Sequence, residues 1–179
     1  MTPSFGPPKH AANRLLTLLA PGIAAVLLLL MAPPALPQTG APAVVVVDAA
    51  AANSVEFDLP ALRALPMTEF DTSTVWTETV DHYAGVLLRD LLQEVGVDLA
   101  ATDGRVVIHA LDGYTATFGF DDITPEAPLL AFLRNGAEMP LRAQGPFWIL
   151  FPFDDNPAFQ TETAYARSVW QVSRIVVER

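Results

Sequence analysis

The residues that could bind a metal or act as a nucleophile are few in this chain. Its 179 residues include no cysteine, so no thiolate can ligate a metal or attack a substrate. Two histidines, His82 and His109, follow the N-terminal region and lie on different predicted strands, whereas a zinc site needs three or four convergent ligands. No serine lies in a GxSxG motif and no glycine-rich phosphate loop occurs. We therefore interpret both histidines as strand-face residues and expect no bound metal.

Aromatic side chains and arginines are more informative candidates for a binding site. Aromatic residues on strands most often pack in a core, but a group of them can also line a ligand pocket. Arginines beside aromatic rings can bind a phosphate or carboxylate, or simply pair with surface acids. Both interpretations stay open for the aromatics, which are Trp76, Tyr114, Phe147, Trp148, Phe151, Phe153 and Trp170, and for Arg134, Arg142 and Arg167.

The charge distribution excludes some partners. The chain has 20 acidic and 10 basic residues, and every acidic residue lies at or after Asp48. From residue 44 onward the net charge is −12. A body this acidic does not favour nucleic acid or anionic lipid through bulk electrostatics.

Residues 1–43 have the pattern of a targeting segment. Lys9, His10 and Arg14 precede an apolar run over residues 15–31, and a Pro/Ala-rich linker follows over residues 32–43. This order predicts a secretory signal peptide. The apolar run is also near the length that spans a bilayer, so an uncleaved anchor is the alternative. In both cases we expect residues 44–179 to form one domain in the periplasm, with membrane contact only through an uncleaved N-terminal segment.

Hydrophobic periodicity and turn residues predict the elements of this domain. Short strands are expected over residues 44–47 and 54–57, then a helix capped by Asp58, and one long strand or two short ones over residues 67–80. Gly85 is expected to permit a turn before an amphipathic helix that Gly96 ends.

The second half of the domain contains two hairpin signals. Asp112-Gly113 is expected between strands over residues 105–110 and 114–118, and Asn135-Gly136 between residues 129–133 and 139–141. A strand over residues 147–151, a loop plus helix over residues 154–167 and a closing strand over residues 168–177 complete the prediction. Many short strands with a few short helices predict an α+β fold of mixed, mostly antiparallel sheets.

The order of several short motifs resembles one known family. These motifs are Asp58-Leu59, Trp76, residues 85–92 (GVLLRDLL), residues 111–114 (LDGY), Asn135-Gly136, Gly145-Pro146 and residues 167–170 (RSVW). Together they are similar to the molybdopterin-binding oxidoreductase domain of the sulfite oxidase type, in its small exported bacterial form. The similarity spans roughly residues 54 to 177 and implies the sulfite oxidase-type fold.

The resemblance also implies a cofactor and a place for it. The family holds molybdenum through two dithiolene sulfurs of a pterin and one protein cysteine, which falls on the strand before GVLLRDLL. In this chain the equivalent stretch is residues 72–79, which contain no cysteine. Basic residues that the family places near the cofactor correspond here to Trp148 and Trp170. Groove candidates for cofactor or ligand binding are Trp76, His109, Tyr114, Trp148, Arg167 and Trp170.

Two functional hypotheses follow from the resemblance. The first is a non-catalytic periplasmic module that binds a small ligand, or a periplasmic or membrane protein, in the groove of this fold, with no cofactor. The second is a true molybdopterin-dependent oxidoreductase with a metal ligand other than cysteine, for which a threonine or Glu78 in residues 72–79 is the candidate.

Overall fold

A computed structural model describes residues 41–100 and 103–179 of the chain. Over these residues no helix has both the length and the apolar character needed to cross a bilayer. The predicted leader over residues 1–43 lies outside the described residues except for its last three, so the targeting segment stays a prediction.

The first sheet contains the two ends of the domain. Its strand order is β2 (Asn53–Asp58), β1 (Ala43–Asp48), β10 (Val172–Glu178), β5 (Arg105–Ala110) and β6 (Thr115–Gly119). Strand β1 runs parallel to β10, and the other neighbours are antiparallel. The valines of β1 alternate between buried and half-buried positions, so one face of the strand packs into the core.

The second sheet is antiparallel. Strand β4 (Asp81–Leu87) lies between β3 (Met67–Thr72) and β7 (Leu129–Arg134), and β7 also pairs with β8 (Ala137–Glu138) and β9 (Trp148–Leu150). The buried side chains of both sheets contribute to one hydrophobic cluster. Strand β9 connects the sheets, because the Ile149 amide donates to the Val169 carbonyl (2.8 Å), just before β10.

Three short helices are described in residues 41–100 and 103–179. Helix α1 (Leu59–Arg63) begins at Asp58, whose carboxylate accepts a hydrogen bond from the Ala61 amide (2.8 Å). Helix α2 (Leu88–Glu94) buries Leu88, Leu91 and Leu92 and is followed by Gly96 at φ +81°. Helix α3 (Glu162–Arg167) has Thr161 as its N-cap. Short 3-10 helices occur at Phe120–Asp122, Leu141–Ala143 and Pro157–Phe159.

Several predicted elements differ from the observed ones. Gly85 does not form a turn but lies inside β4, where the backbone of β7 approaches it closely. The strand predicted over residues 67–80 ends at Thr72, and residues 73–80 form a loop. The strand predicted over residues 139–141 is replaced by β8 and a 3-10 helix, and the closing strand begins at Val172.

Candidate functional site

A cavity of about 300 Å³ lies at one end of the first sheet. It is bounded by the end of β5, the β5–β6 turn, the end of α3, the segment leading into β10, and the loop over residues 73–80. The side chains of interest in its lining are Trp76, Asp112, Tyr114, Tyr165, Ser168 and Trp170. This volume is at the lower end of the range for small-molecule sites.

The β5–β6 turn places Asp112 and Tyr114 at the cavity. Gly113 adopts φ +90°, a conformation that favours glycine. The Asp112 carboxylate accepts a hydrogen bond from the Tyr114 amide (2.9 Å), which closes the turn. The Tyr114 hydroxyl donates to the Ala166 carbonyl (2.8 Å), so the turn is tied to helix α3 across the cavity.

Trp76 is held by a loop with its own hydrogen bonds. The Ser73 amide and hydroxyl both donate to the Asp154 carboxylate, at 2.6 and 2.7 Å. The Trp76 amide donates to the Thr74 hydroxyl (3.1 Å), and the Thr74 amide donates to the Thr77 hydroxyl (3.2 Å). The loop therefore positions the indole through contacts both inside the loop and with a distant segment.

The tryptophans form one cluster beside the cavity. The Trp76 ring centroid lies 5.5 Å from that of Trp170 and 6.2 Å from that of Tyr165, and both pairs of planes meet at 85°. Trp148 lies 5.9 Å from Trp76 and has no exposed surface. Its indole N–H donates to the Ser168 carbonyl (3.1 Å), so it supports the lining from behind.

Charge in the cavity is negative. Among the described lining residues Asp112 is acidic, and no lysine, arginine or histidine is present. Arg167, at the end of α3, does not reach the lining. Its guanidinium instead pairs with Asp122 (3.0 Å) and lies 5.1 Å from the centre of the Phe118 ring.

The structure brings together half of the groove candidates. Trp76, Tyr114 and Trp170 line the cavity, whereas Trp148 lies behind it and His109 and Arg167 lie outside the lining. Asp112, Tyr165 and Ser168 also line the cavity but were not among the groove candidates. Asp112 belongs to the recognised Asp-Gly turn, and Tyr165 lies in the predicted loop-plus-helix segment, so their positions were predictable but their convergence was not.

His82 lies away from the cavity in a surface ion pair. Its Nδ1 is 2.7 Å from the Asp71 carboxylate and its Nε2 is 3.4 Å from Glu69. The described residues contain no group of His, Asp and Glu that could hold a metal ion. The hydrogen bond to Asp71 raises the pKa of His82 above its ordinary value of 6.5, with a smaller contribution from Glu69.

We expect a proton NMR titration to give His82 a pKa above 6.5, because the neighbouring carboxylates favour the imidazolium. The protonated form therefore stabilises the fold below pH 6.5, and this contribution is lost as the pH rises through the folded-state pKa. Asp71→Asn should lower the measured pKa, whereas Glu56→Gln on β2 of the other sheet should leave it unchanged. An unchanged pKa in Asp71→Asn would contradict the assignment.

Comparisons with known proteins support the fold and the general class. No family model matches the sequence. An uncharacterized oxidoreductase of Bacillus subtilis strain 168, YuiH, is 30% identical over 51% of this chain and 54% of its own length. The crystal structure of the sulfane dehydrogenase SoxCD from Paracoccus pantotrophus superposes with a TM-score of 0.56 at 17% identity, covering 75% of this chain.

The structural match confirms the predicted fold class, an α+β fold of the sulfite oxidase type with mixed sheets and few helices. The similarity to an uncharacterized oxidoreductase supports an oxidoreductase-like domain. The chain spans about half the length of the curated relative (54%) and 37% of the matched structure.

The cavity does not fit the molybdenum cofactor that the resemblance implies. The stretch that would supply the thiolate, residues 72–79, places Trp76 in the lining and has no sulfur donor. The lining offers a carboxylate and hydroxyl groups, which are not the soft ligands of a molybdenum–dithiolene centre. Nor does a described lining residue supply the basic clamp that the resemblance implies.

Proposed function

We propose that this chain is an exported, non-catalytic binding module on the sulfite oxidase-type fold, and that the aromatic cavity is its ligand site. The observation that carries the proposal is the cavity lining, to which the stretch expected to hold the metal-ligating cysteine contributes the Trp76 indole. A concave, mainly apolar site with a few polar groups is typical of small-molecule binding. A periplasmic or membrane protein partner is the competing occupant.

Export is part of the same proposal. It is supported by the basic, apolar and Pro/Ala-rich order of residues 1–43. Cell fractionation should recover the protein from the periplasm, and from the membrane if the segment is not cleaved. Recovery with the cytoplasm would contradict this part of the proposal.

A second candidate function is a molybdopterin-dependent oxidoreductase with a non-cysteine metal ligand. The similarity to the uncharacterized oxidoreductase of Bacillus subtilis favours it. Oxygen ligands would have to come from threonines or Glu78 of residues 72–79, of which Thr72 and Thr74 are buried and Glu78 is exposed.

Metal and pterin analysis separates the two functions. Protein purified from the periplasm of a host with intact cofactor synthesis is expected to contain far less than one molybdenum and one pterin per chain. Mass spectrometry of the metal and fluorescence of the oxidised pterin provide the two measurements. Stoichiometric amounts of both would overturn the binding-module proposal in favour of the oxidoreductase.

A further inference from the structure

We infer that the cavity binds a small organic cation with a methylated ammonium head group. The inference rests on the proposed function, since it names the ligand class of the same site. It follows from three independent properties of the described lining: the number and orientation of its aromatic rings, the sign of its charge, and its size.

The aromatic rings form the walls of a box. Trp76, Tyr114, Tyr165 and Trp170 line one cavity. The planes of Trp76 and Trp170 meet at 85°, as do those of Trp76 and Tyr165, so these rings form corners and do not stack. A methylated ammonium group is attracted to the negative face of an aromatic ring, so a cavity lined by four such rings suits it.

The charge of the cavity lining is negative, opposite to that of the proposed ligand. Asp112 adds a carboxylate to the lining, and the net charge of −12 from residue 44 onward raises the local concentration of cations. Arg167, which could attract an anion, is paired with Asp122 and stacked on Phe118. An anionic ligand would therefore meet a carboxylate with no counter-charge in the described lining.

The size of the cavity selects among cations. About 300 Å³ accommodates a molecule such as choline. A free inorganic cation would not use the apolar lining, because small hard cations keep oxygen ligands. The combination favours a compact cation with an apolar, methylated surface.

The protein itself provides the reporter. The chain has three tryptophans, and Trp76, Trp148 and Trp170 all belong to the cluster at the cavity. Intrinsic tryptophan fluorescence therefore reports on this site alone. Choline is the test ligand, and 3,3-dimethylbutan-1-ol is its neutral isostere with nearly the same shape.

We expect choline to change the emission saturably at constant ionic strength, and the neutral isostere to bind at least about tenfold more weakly. Isothermal calorimetry on the same samples gives the stoichiometry, expected to be one. Tetramethylammonium should compete with choline, since the methylated head carries the recognition.

Two variants test the lining with matched controls. Asp112→Asn removes the charge but keeps an oxygen acceptor for the Tyr114 amide, so the turn should persist while choline affinity falls several-fold. Tyr165→Leu removes one ring of the box and should weaken choline more than the isostere. The controls are Asp155→Asn and Phe159→Leu, which alter an acid and an aromatic residue outside the lining and should leave the affinity unchanged.

The outcomes separate this inference from the proposed function. If choline and the isostere bind equally and both are lost in Tyr165→Leu, the preference for a cation would be wrong. The cavity would still be supported as a ligand site. Absence of choline binding in folded protein would overturn the inference. Stoichiometric molybdenum and pterin in the purified protein would overturn both.

Discussion

Replacement of Gly85 by alanine is expected to lower the free energy of unfolding by about 3 kcal/mol. Gly85 lies in β4 beside β7, at an irregularity in their register. A Cβ atom there would lie 2.1 Å from the Leu130 carbonyl oxygen and 2.7 Å from the Ala131 Cα. Both are backbone atoms of a buried strand, so relief requires the two strands to separate. Urea denaturation followed by circular dichroism measures the change.

Gly119→Ala is the matched control for Gly85→Ala. Gly119 ends β6 with φ −68°, and a Cβ there would lie 3.5 Å from the flexible Asp122 carboxylate. Alanine adopts this conformation without strain, so the change should be neutral or slightly stabilising through the unfolded state. Similar free energies of unfolding for both variants would contradict the close approach of β4 and β7.

The role of Gly85 shows which parts of the fold the sequence could predict. The turns at Asp112-Gly113 and Asn135-Gly136 were predictable because their backbone conformations depend on the residues themselves, and Gly113 and Gly136 do adopt positive φ. Gly85 instead responds to Leu130 and Ala131, which are distant in sequence. An isolated glycine looks the same in a sequence whether it forms a turn or lies inside a strand. The sequence therefore predicted a turn at Gly85, where the structure has strand β4.

The candidate site, like the fold, was predictable from the sequence only in part. Trp76, Tyr114 and Trp170 were candidates as residue types, and the fold brings them to one cavity. Trp148 was an equally good candidate by residue type but is fully buried, since β9 places it between β7 and the segment just before β10. The convergence of Trp76 depends on Ser73 meeting Asp154, a contact between segments whose pairing no local pattern indicates.

Replacement of Asp81 by alanine is the second variant with a large expected effect, also about 3 kcal/mol. The Asp81 side chain is 6% exposed and accepts hydrogen bonds from Arg134 Nε (2.9 Å), Arg134 Nη2 and Asn135 Nδ2 (2.8 Å). Its removal leaves a partly buried guanidinium, at 26% exposure, without its carboxylate. Loss of the carboxylate therefore costs more free energy of unfolding than the intact ion pair contributes, because the guanidinium stays partly desolvated without a partner.

An exposed ion pair supplies the control for Asp81→Ala. Arg63 and Glu138 are 2.9 Å apart, with side chains 47% and 59% exposed. Glu138→Ala should therefore cost less than about 1 kcal/mol, since solvent screens such pairs. Equal losses in the two variants would show that burial does not strengthen the Asp81 pair.

The stabilisation by Asp81 should depend on pH in a defined direction. Burial raises the pKa of Asp81, but hydrogen bonds from Asn135 and Arg134 outweigh it, and the pKa lies below its ordinary value of 3.8. The contribution is therefore fully present above the unfolded-state value and is lost as the pH falls through the folded-state value. The difference in unfolding free energy between wild type and Asp81→Ala should be constant near neutral pH and shrink below about pH 4.

Asp81 also connects the stability of the second sheet to the cavity. It is the first residue of β4 and directly follows the loop that carries Trp76, and its carboxylate accepts from the Thr79 hydroxyl at 3.3 Å. Loss of this carboxylate removes the Thr79 contact at one end of the loop, while the Ser73–Asp154 contacts hold the other end. Asp81→Ala should therefore weaken choline binding under conditions where the protein remains folded, and Glu138→Ala should not. Unchanged affinity in folded Asp81→Ala would mean that the Ser73 end alone positions the Trp76 indole.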